Sequence, residues 1–467
     1  MYRLAGIFLE FKGPNWYILP LITSMTMLLS ACECKQFKEE NQITDDFSYN
    51  HDLDNNDNFS PDDKWLVYDT RTHRDSISAN GIIEKVNIQT GETVVLYALP
   101  TNTKYGPGVG AVSYSPTENK VAFIHGLLNC SADAPYEQWR RTGVIVEDSS
   151  PSEPIFMDAR DISFPFTLGA LRGGTHRHEW SGDGAWIGFT YNDALMKKLE
   201  DSTGIHYNLR TIGVSKKGQK VTVVDANQGE NFSGEWFSAL VVSVVPNPIP
   251  NSDEISRATG DSWVGNTGYK KSDGSQQRAR AFIGSIKNNE GKNIDEVYIV
   301  DIPEDITIPN IKYPIKGTET RLPAPPKGTT QRRLTHTDTT KYPGCEGIVR
   351  SSYDGSLLAF LAYDENKVKQ VFTVSPNGGK PIQQTFHSTD VQSGVRWHPS
   401  KYHICYVWKD AVVYKEIGKN QESILTAPSP DPPSNLVWSH DGHKIAFNRT
   451  LTNEKGETAK QIFVIEL

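Results

Sequence analysis

One short signature recurs along the chain and limits the folds open to it. An aromatic residue or Ser is followed by Ser or His, then by turn formers such as Pro, Asp and Gly, then by three or four apolar residues. The first copies are Phe59-Ser60-Pro61-Asp62 before Leu66-Val67-Tyr68, and Tyr114-Ser115-Pro116 before Val121-Ala122-Phe123. Next come Trp180-Ser181-Gly182-Asp183-Gly184 before Ile187-Gly188-Phe189, and Ser352-Tyr353-Asp354-Gly355 before Leu358-Ala359-Phe360. The last are Trp397-His398-Pro399 before Ile404-Cys405-Tyr406, and Trp438-Ser439-His440-Asp441-Gly442 before Ile445-Ala446-Phe447. A period of tens of residues marks a solenoid or a propeller.

The chemistry of each copy is that of a hairpin. Pro presets the first turn position, Asp accepts from its own backbone, and Gly takes a positive φ. The aromatic before the turn and the apolar run after it form two antiparallel strands. A third strand follows, as in Ile83–Ile88, Val144–Glu147, Val371–Val374 and Ile462–Ile465. A fourth ends on Leu334-Thr335, Gln384-Thr385 or Leu425-Thr426. Four antiparallel strands per unit make a propeller blade. The gap between Ser181 and Ser352 holds one more blade, read as Leu240–Val245, Arg280–Ile286, Glu296–Ile302 and Arg332–Thr335, with Pro246–Ala279 as an insertion. The reading is therefore all-β: a seven-bladed β-propeller of four-stranded antiparallel blades over 42–467. The last unit stops at its third strand, so Gln42-Ile43-Thr44 is expected to supply the fourth and close the ring, which removes free sheet edges.

The N-terminus reads as an address. Residues 1–31 carry Arg3 and Lys12, then a short apolar stretch from Trp16 to Leu29 interrupted by Pro20 and three hydroxyl residues, which suits a secretory signal better than a membrane span. It ends Leu29-Ser30-Ala31-Cys32, a pattern that looks like a bacterial lipobox with Cys32 as the lipidated residue. Residues 32–41 are read as a tether. The expected place is then extracytoplasmic, in the periplasm or at the cell surface, held to a bacterial membrane by a lipid. Removing 1–31 leaves 46 basic and 55 acidic side chains, a net charge of −9. With a pI near 5.9, a nucleic-acid partner is not expected. Cys34, Cys130, Cys345 and Cys405 show no metal or disulfide spacing. No Walker loop, dinucleotide fingerprint, H-E-x-x-H or G-x-S-x-G elbow occurs.

The Ser-Pro-Asp-Gly repeat resembles that of TolB-like propellers, whose relatives include the prolyl oligopeptidase propeller and the oligogalacturonate lyases. Leu171-Arg172-Gly173-Gly174-Thr175-His176, Phe189-Thr190-Tyr191-Asn192-Asp193, Trp263-Val264-Gly265-Asn266 and Leu322-Pro323-Ala324-Pro325-Pro326 are similar to segments of an uncharacterised bacterial TolB-like propeller family. That resemblance spans nearly all of 42–467 and implies a fold without an activity. The lyases place a His-rich metal site on the propeller axis, but their pattern does not align here.

Long connections between second and third strands, Thr70–Asn80, Gly126–Thr142 and Asn192–Tyr207, fall in three consecutive blades and would crowd one face. Functional residues gather on such loops. Asp69, Arg71, His125, His176, Tyr191 and Asp193 are the candidate ligand-binding residues there, with His51, Asn55, His178, Glu235, Glu346 and Gln392 expected on first strands beside the channel. In Gly174-Thr175-His176-Arg177-His178, strand alternation puts both imidazoles on one face. They could share a divalent metal, supply one ligand and one base, or satisfy backbone groups in a tight channel. Asp52-x-Asp54-x-Asn56 resembles the start of a calcium loop, but Asp57 stands where that loop needs Gly. Three functions stay open: capture of a glycan fragment or a protein partner, metal-assisted lysis of a uronate polysaccharide, and a scaffold with a filled channel. Prolyl oligopeptidase chemistry is disfavoured, since no nucleophile elbow is present.

Overall fold

Four of the turn signatures close through one hydroxyl. Ser60 Oγ donates to Asp62 Oδ1 (2.7 Å) and accepts the Trp65 N–H (3.0 Å). Ser181–Asp183 (2.5 Å), Ser352–Asp354 (2.7 Å) and Ser439–Asp441 (2.6 Å) repeat the arrangement, each Ser also accepting an amide five residues on. In one copy His398 stands in for Ser, and its Nδ1 accepts from the Ser400 amide.

A Trp at the end of an inner strand ties neighbouring units together. The indoles of Trp180, Trp263, Trp397 and Trp438 donate to the carbonyls of Ser113, Glu179, Arg350 and Arg396, each one unit back. The accepting residue occupies the same register each time, or lies one place from it.

A computed structural model describes residues 37–53, 57–72, 76–226 and 229–467. It shows a seven-bladed β-propeller. Blade 1 has Trp65–Asp69, Ile82–Asn87 and Thr93–Ala98, with its inner strand marked by bridges of Asp52 to Asp69 and Phe59 to Leu66. Blade 2 runs Val109–Tyr114, Lys120–Gly126, Arg141–Glu147, Ile155–Phe156; blade 3 runs Gly173–Trp180, Trp186–Asp193, Thr211–Lys216, Phe237–Leu240. Blade 4 runs Ala258–Trp263, Ala279–Lys287, Asn293–Asp301, Thr330–Arg333; blade 5 runs Cys345–Ser351, Leu358–Tyr363, Lys369–Val374, Ile382–Gln383. Blade 6 runs Arg396–Trp397, His403–Trp408, Ala411–Glu416, Glu422–Ile424. Blade 7 runs Ser434–Trp438, Lys444–Thr452, Thr458–Glu466 and takes Asn41–Gln42 as its outer strand, Gln42 opposite Phe463.

Hydrophobic side chains fill the spaces between blades rather than one centre. Leu53, Phe59, Leu66 and Tyr68 of blade 1 pack with Val437, Ala446, Ile462 and Val464 of blade 7, so the seam of the ring is as apolar as its other joints. Blades 6 and 7 share Cys405, Val407, Leu436 and Phe447, and blades 2 and 3 share Ile145, Met157, Trp180 and Trp236. Cys405 is thus the small core residue its strand pattern suggests.

The Thr that ends a fourth strand has a defined task. Thr335, Thr385, Thr426 and Thr44 accept the amide of Val297, Val371, Val412 and Ile462 on the adjacent third strand. In blade 2 the carboxylate of Asp158 does the same for Gly143 (2.7 Å). Closure by Ile43 and Thr44 is therefore made with the same bonds as an internal blade. Lys38 and Glu40, expected in the tether, are also bound to the ring: the Lys38 amide donates to Leu425 O, and Arg449 grips Glu40 through two nitrogens (2.8 and 2.9 Å).

Two readings change. The inner strand of blade 4 is Ala258–Trp263, not 240–245; Phe237–Leu240 is the outer strand of blade 3. Apolar content pointed to 240–245, the more apolar run, whereas the true inner strand carries Thr, Gly, Asp and Ser and buries Asp261 against Arg280. Glu235 accordingly sits at the outer edge of blade 3 against Lys220 (2.6 Å), away from the channel.

Candidate functional site

The inner strands do not alternate cleanly, and this shapes the axis. In blades 2, 3, 4, 5 and 7 the pairing of first and second strands slips at a bulge. A left-handed residue sits at each slip: Ala111 (φ 54), Arg177 (φ 62), Gly260 (φ 61), Gly347 (φ 84) and Asn435 (φ 52). Bulges re-aim side chains at strand ends. Here they separate the two imidazoles. His176 borders the axial cavity, while His178 is enclosed, its Nε2 3.0 Å from Thr175 Oγ1 and its ring 6.3 Å from that of Phe189. That extra residue turns His176 and His178 to opposite faces of the strand, against the single face that strict alternation predicts. Among the described residues no three of His, Cys, Asp and Glu converge as a metal site would require.

A cavity of about 890 Å³ opens on the axis at the face carrying the three long connections. Arg71 and Ile77 come from the first connection, Tyr136, Glu137 and Gln138 from the second, and Arg210 follows the third. Arg141, Arg177, Arg350 and Arg396 complete a lining of six arginines facing one glutamate among the described residues. His176 and Gln392, both expected beside the channel, also line it.

These groups are positioned by named contacts. Asp69 is buried and takes Arg71 Nε on Oδ1 (2.6 Å) and the Ala111 amide on Oδ2 (2.7 Å), so it orients Arg71. Gln138 serves two arginines: its carbonyl accepts from Arg141 Nε (3.2 Å), and its Oε1 from Arg210 Nη2 (3.4 Å). Arg141 Nη1 also donates to the Tyr136 hydroxyl (2.9 Å). At the floor, Arg350 Nη1 meets Glu179 Oε1 (3.1 Å), whose other oxygen takes Arg280 (2.9 Å). Arg280 also pairs with Asp261. Arg350 and Arg396 border a second, smaller cavity of about 210 Å³ on the opposite side, ringed by Trp180, Trp263, Trp397 and Trp438.

The electrostatics follow from this crowding. Burial, then Arg141, Arg210 and Arg177, hold the His176 imidazole well below its ordinary range, so it is neutral at pH 7. Burial and neighbouring Arg396 bring Arg350 down to about 9, and burial lowers Arg396 too. Burial raises Glu179 in spite of Arg280 and Arg350.

The remaining candidates lie elsewhere. Tyr191 and Asp193 are sealed with Arg172: Asp193 Oδ2 accepts from Arg172 Nη2 (2.8 Å) and the Tyr191 hydroxyl (2.9 Å). Asp193 Oδ1 caps α1 (Ala194–Thr203) through the Leu195 and Met196 amides. An Asp before Ala-Leu-Met-Lys-Lys-Leu is an N-cap signal, and the structure places Asp193 in that task, outside the lining of the axial cavity. His125 is fully buried, 2.9 Å from the Tyr97 hydroxyl, and burial lowers it to about 4. His51 is buried against Lys460 O. Glu346 borders a separate groove with Asp295 and pairs with Lys369. Cys32, Asn55 and the Asp54 and Asn56 of the calcium-like loop fall outside the described residues.

Arg141, Arg177, Arg210, Arg350 and Arg396 were missed as site residues. Arg350 and Arg396 hold the register just before the aromatic or Ser of the repeat, where Glu179 stands in blade 3. Aligning the repeat by that register would have found three axial charges.

Fold and axis together define a seven-bladed β-propeller with an arginine-lined axial cavity. Residues 108–231 match the family described as "Protein of unknown function (DUF3748)". The chain is 37% identical over 406 residues to the uncharacterised protein YidR of Escherichia coli (strain K12), covering 85% of this chain and 92% of that one. It belongs to the YidR family. Solved structures similar to it include polysaccharide lyase Uly1 (TM-score 0.49, 9% identity, 92% of this chain and 99% of that one). TolB from Acinetobacter baumannii is another (TM-score 0.35, 11% identity, 86% and 80%). A third is a prolyl endopeptidase (TM-score 0.40, 12% identity), where 84% of this chain spans 45% of that one. Among the described residues no helix is long and apolar enough to cross a membrane.

Proposed function

We propose that this protein is a lipid-anchored, extracytoplasmic propeller that captures a small organic ligand, a glycan fragment first among the candidates, in its axial cavity. One observation carries the reading: an opening of about 890 Å³ framed by the connections of three consecutive blades. That volume lies within the range of about 300–1,000 Å³ usual for ligand pockets. A concave hole suits a small ligand better than the flat face of a protein partner. Gly394 lines the cavity, and a Cβ added there meets nothing within 4 Å. Gly394→Trp should therefore fill the opening without disturbing the fold. Calorimetric titration of the full chain against a library of glycan fragments should give binders that Gly394→Trp loses. Binders that the variant retains in full contradict the site. For the anchor, Cys32→Ala should abolish incorporation of a labelled fatty acid; undiminished labelling contradicts it.

A second reading, a polysaccharide lyase on uronate glycans, is favoured by His176 alone. A neutral imidazole beside Arg177 can take the C5 proton of a uronate while arginines offset the carboxylate; C4=C5 then forms as the C4–O glycosidic bond breaks, and the leaving oxygen takes a proton from the imidazolium or from water. The metal-assisted form finds no ligand set among the described residues. Release of unsaturated product, read by its absorbance and lost in His176→Ala, supports this reading. No absorbance across uronate glycans contradicts it.

A further inference from the structure

The charge of the cavity says more than its shape. The whole chain is acidic, with a net charge of −8, yet the axial lining carries six arginines and one glutamate among the described residues. Arg71 is paired with Asp69, and the other five fall into two groups. Arg141, Arg177 and Arg210 surround His176, each acting on the same imidazole, and Gln138 fixes two of them. Arg350 and Arg396 form the floor, where Arg396 acts on Arg350 and is itself acted on by Arg177 of the first group. The two groups come from different sides of the ring, blades 2 and 3 against blades 5 and 6. Arg141 is held by neutral groups, the Tyr136 hydroxyl and the Gln138 carbonyl, which orient its charge without cancelling it. The guanidinium fork matches carboxylate and phosphate oxygens, so such a lining selects anions by geometry as well as by sign.

We infer that the axial cavity takes a ligand bearing at least two anionic groups, one bound among Arg141, Arg177 and Arg210 and the other at Arg350 and Arg396. This rests on the ligand-capture reading above and narrows it to oligo-acids. A mono-acid can engage one group of arginines, and a neutral sugar neither. The acid can be borne by a sugar chain or by a compact polycarboxylate; the shared chemistry is two spaced oxyanions.

The test is calorimetric titration of the full chain with four probes: trigalacturonate, its carboxyl-reduced neutral form, monogalacturonate and citrate. Trigalacturonate or citrate should bind at least about tenfold more tightly than monogalacturonate, and more weakly as salt rises. Tight binding by trigalacturonate alone identifies a sugar acid; tight binding by citrate identifies a polycarboxylate. Arg177→Ala and Arg396→Ala should each weaken the multi-acid probe by about tenfold or more, while leaving monogalacturonate with at least one of its two subsites. Should Arg396→Ala fail to fold, Arg177→Gln and the salt dependence carry the same distinction. Equal binding of the neutral trimer, lost in Gly394→Trp, overturns the oligo-acid inference and keeps the cavity as the site. No binding by any acid probe at millimolar concentration overturns the inference as well, and binding that Gly394→Trp leaves intact overturns the site itself.

Discussion

A single hydroxyl decides how an outer strand ends. Thr426 is fully buried and accepts the Val412 amide (2.9 Å). Thr426→Val keeps the shape and removes the acceptor, leaving a buried N–H unpaired at a cost of about 1–3 kcal/mol. Chemical denaturation should show that loss with an unchanged slope. Asp193→Ala should cost more, about 3–5 kcal/mol, because it strands the buried Arg172 and uncaps α1. After allowance for stability, oligo-acid binding should survive in Asp193→Ala. A specific loss of binding would return Asp193 to the site.

At the scale of elements, the ring is latched where the chain ends meet. The Asp63 carboxylate accepts from the His440 amide (2.7 Å), His440 Nδ1 (2.9 Å) and the Asp441 amide (2.9 Å), joining the turns of blades 1 and 7. Burial opposes the His440 charge, but the bond to Asp63 and the charges of Asp57 and Asp63 win, and its pKa is raised above 6.5. The charged latch is therefore complete below about pH 6.5 and is lost as pH rises through the raised folded value. The stability gap between wild type and Asp63→Asn should be wider at about pH 5.5 than at about pH 9. A gap that widens upward would contradict the assignment.

Removal of residues 37–44 tests the same seam from the other side. It should bare the edge of Thr458–Glu466, strip Glu40 from Arg449, lower the melting temperature and promote association on size exclusion. The elements also show why legibility stopped where it did. Turn chemistry is local, so Ser-x-Asp turns, third strands and Thr endings could be read directly from residues 60, 181, 352 and 439 onward. Bulges are set by contact with neighbouring blades. Arg177 in its left-handed state broke the alternation that would have joined His176 to His178. Arg71 and His176 were legible as residues facing the axial cavity, because loop crowding and strand register both point at the axis. Arg350 and Arg396 stand just before the turn signature, where no local motif marks them and only the register of the repeat points to the axis.

Across the whole molecule, seven interblade layers hold a rigid wall around groups that repel one another. Two unit charges 4 Å apart at an effective dielectric of 20 interact by about 4 kcal/mol. Gathering arginines on one axis is thus a stability cost that a bound anion would offset. Glu179 and Asp69, each drawn from an inner or second strand, hold two of those arginines in place from behind. Thermal melting of the full chain with added trigalacturonate or citrate should show a rise in midpoint that Arg177→Ala reduces.

The most direct measurement is a crystal structure of the full chain soaked with the tightest multi-acid probe. The account predicts ligand density on the axis, with one anionic group among Arg141, Arg177 and Arg210 and another at Arg350 and Arg396. A ligand seated in the groove beside Glu346, or on the tryptophan-ringed side of the wheel, would contradict it.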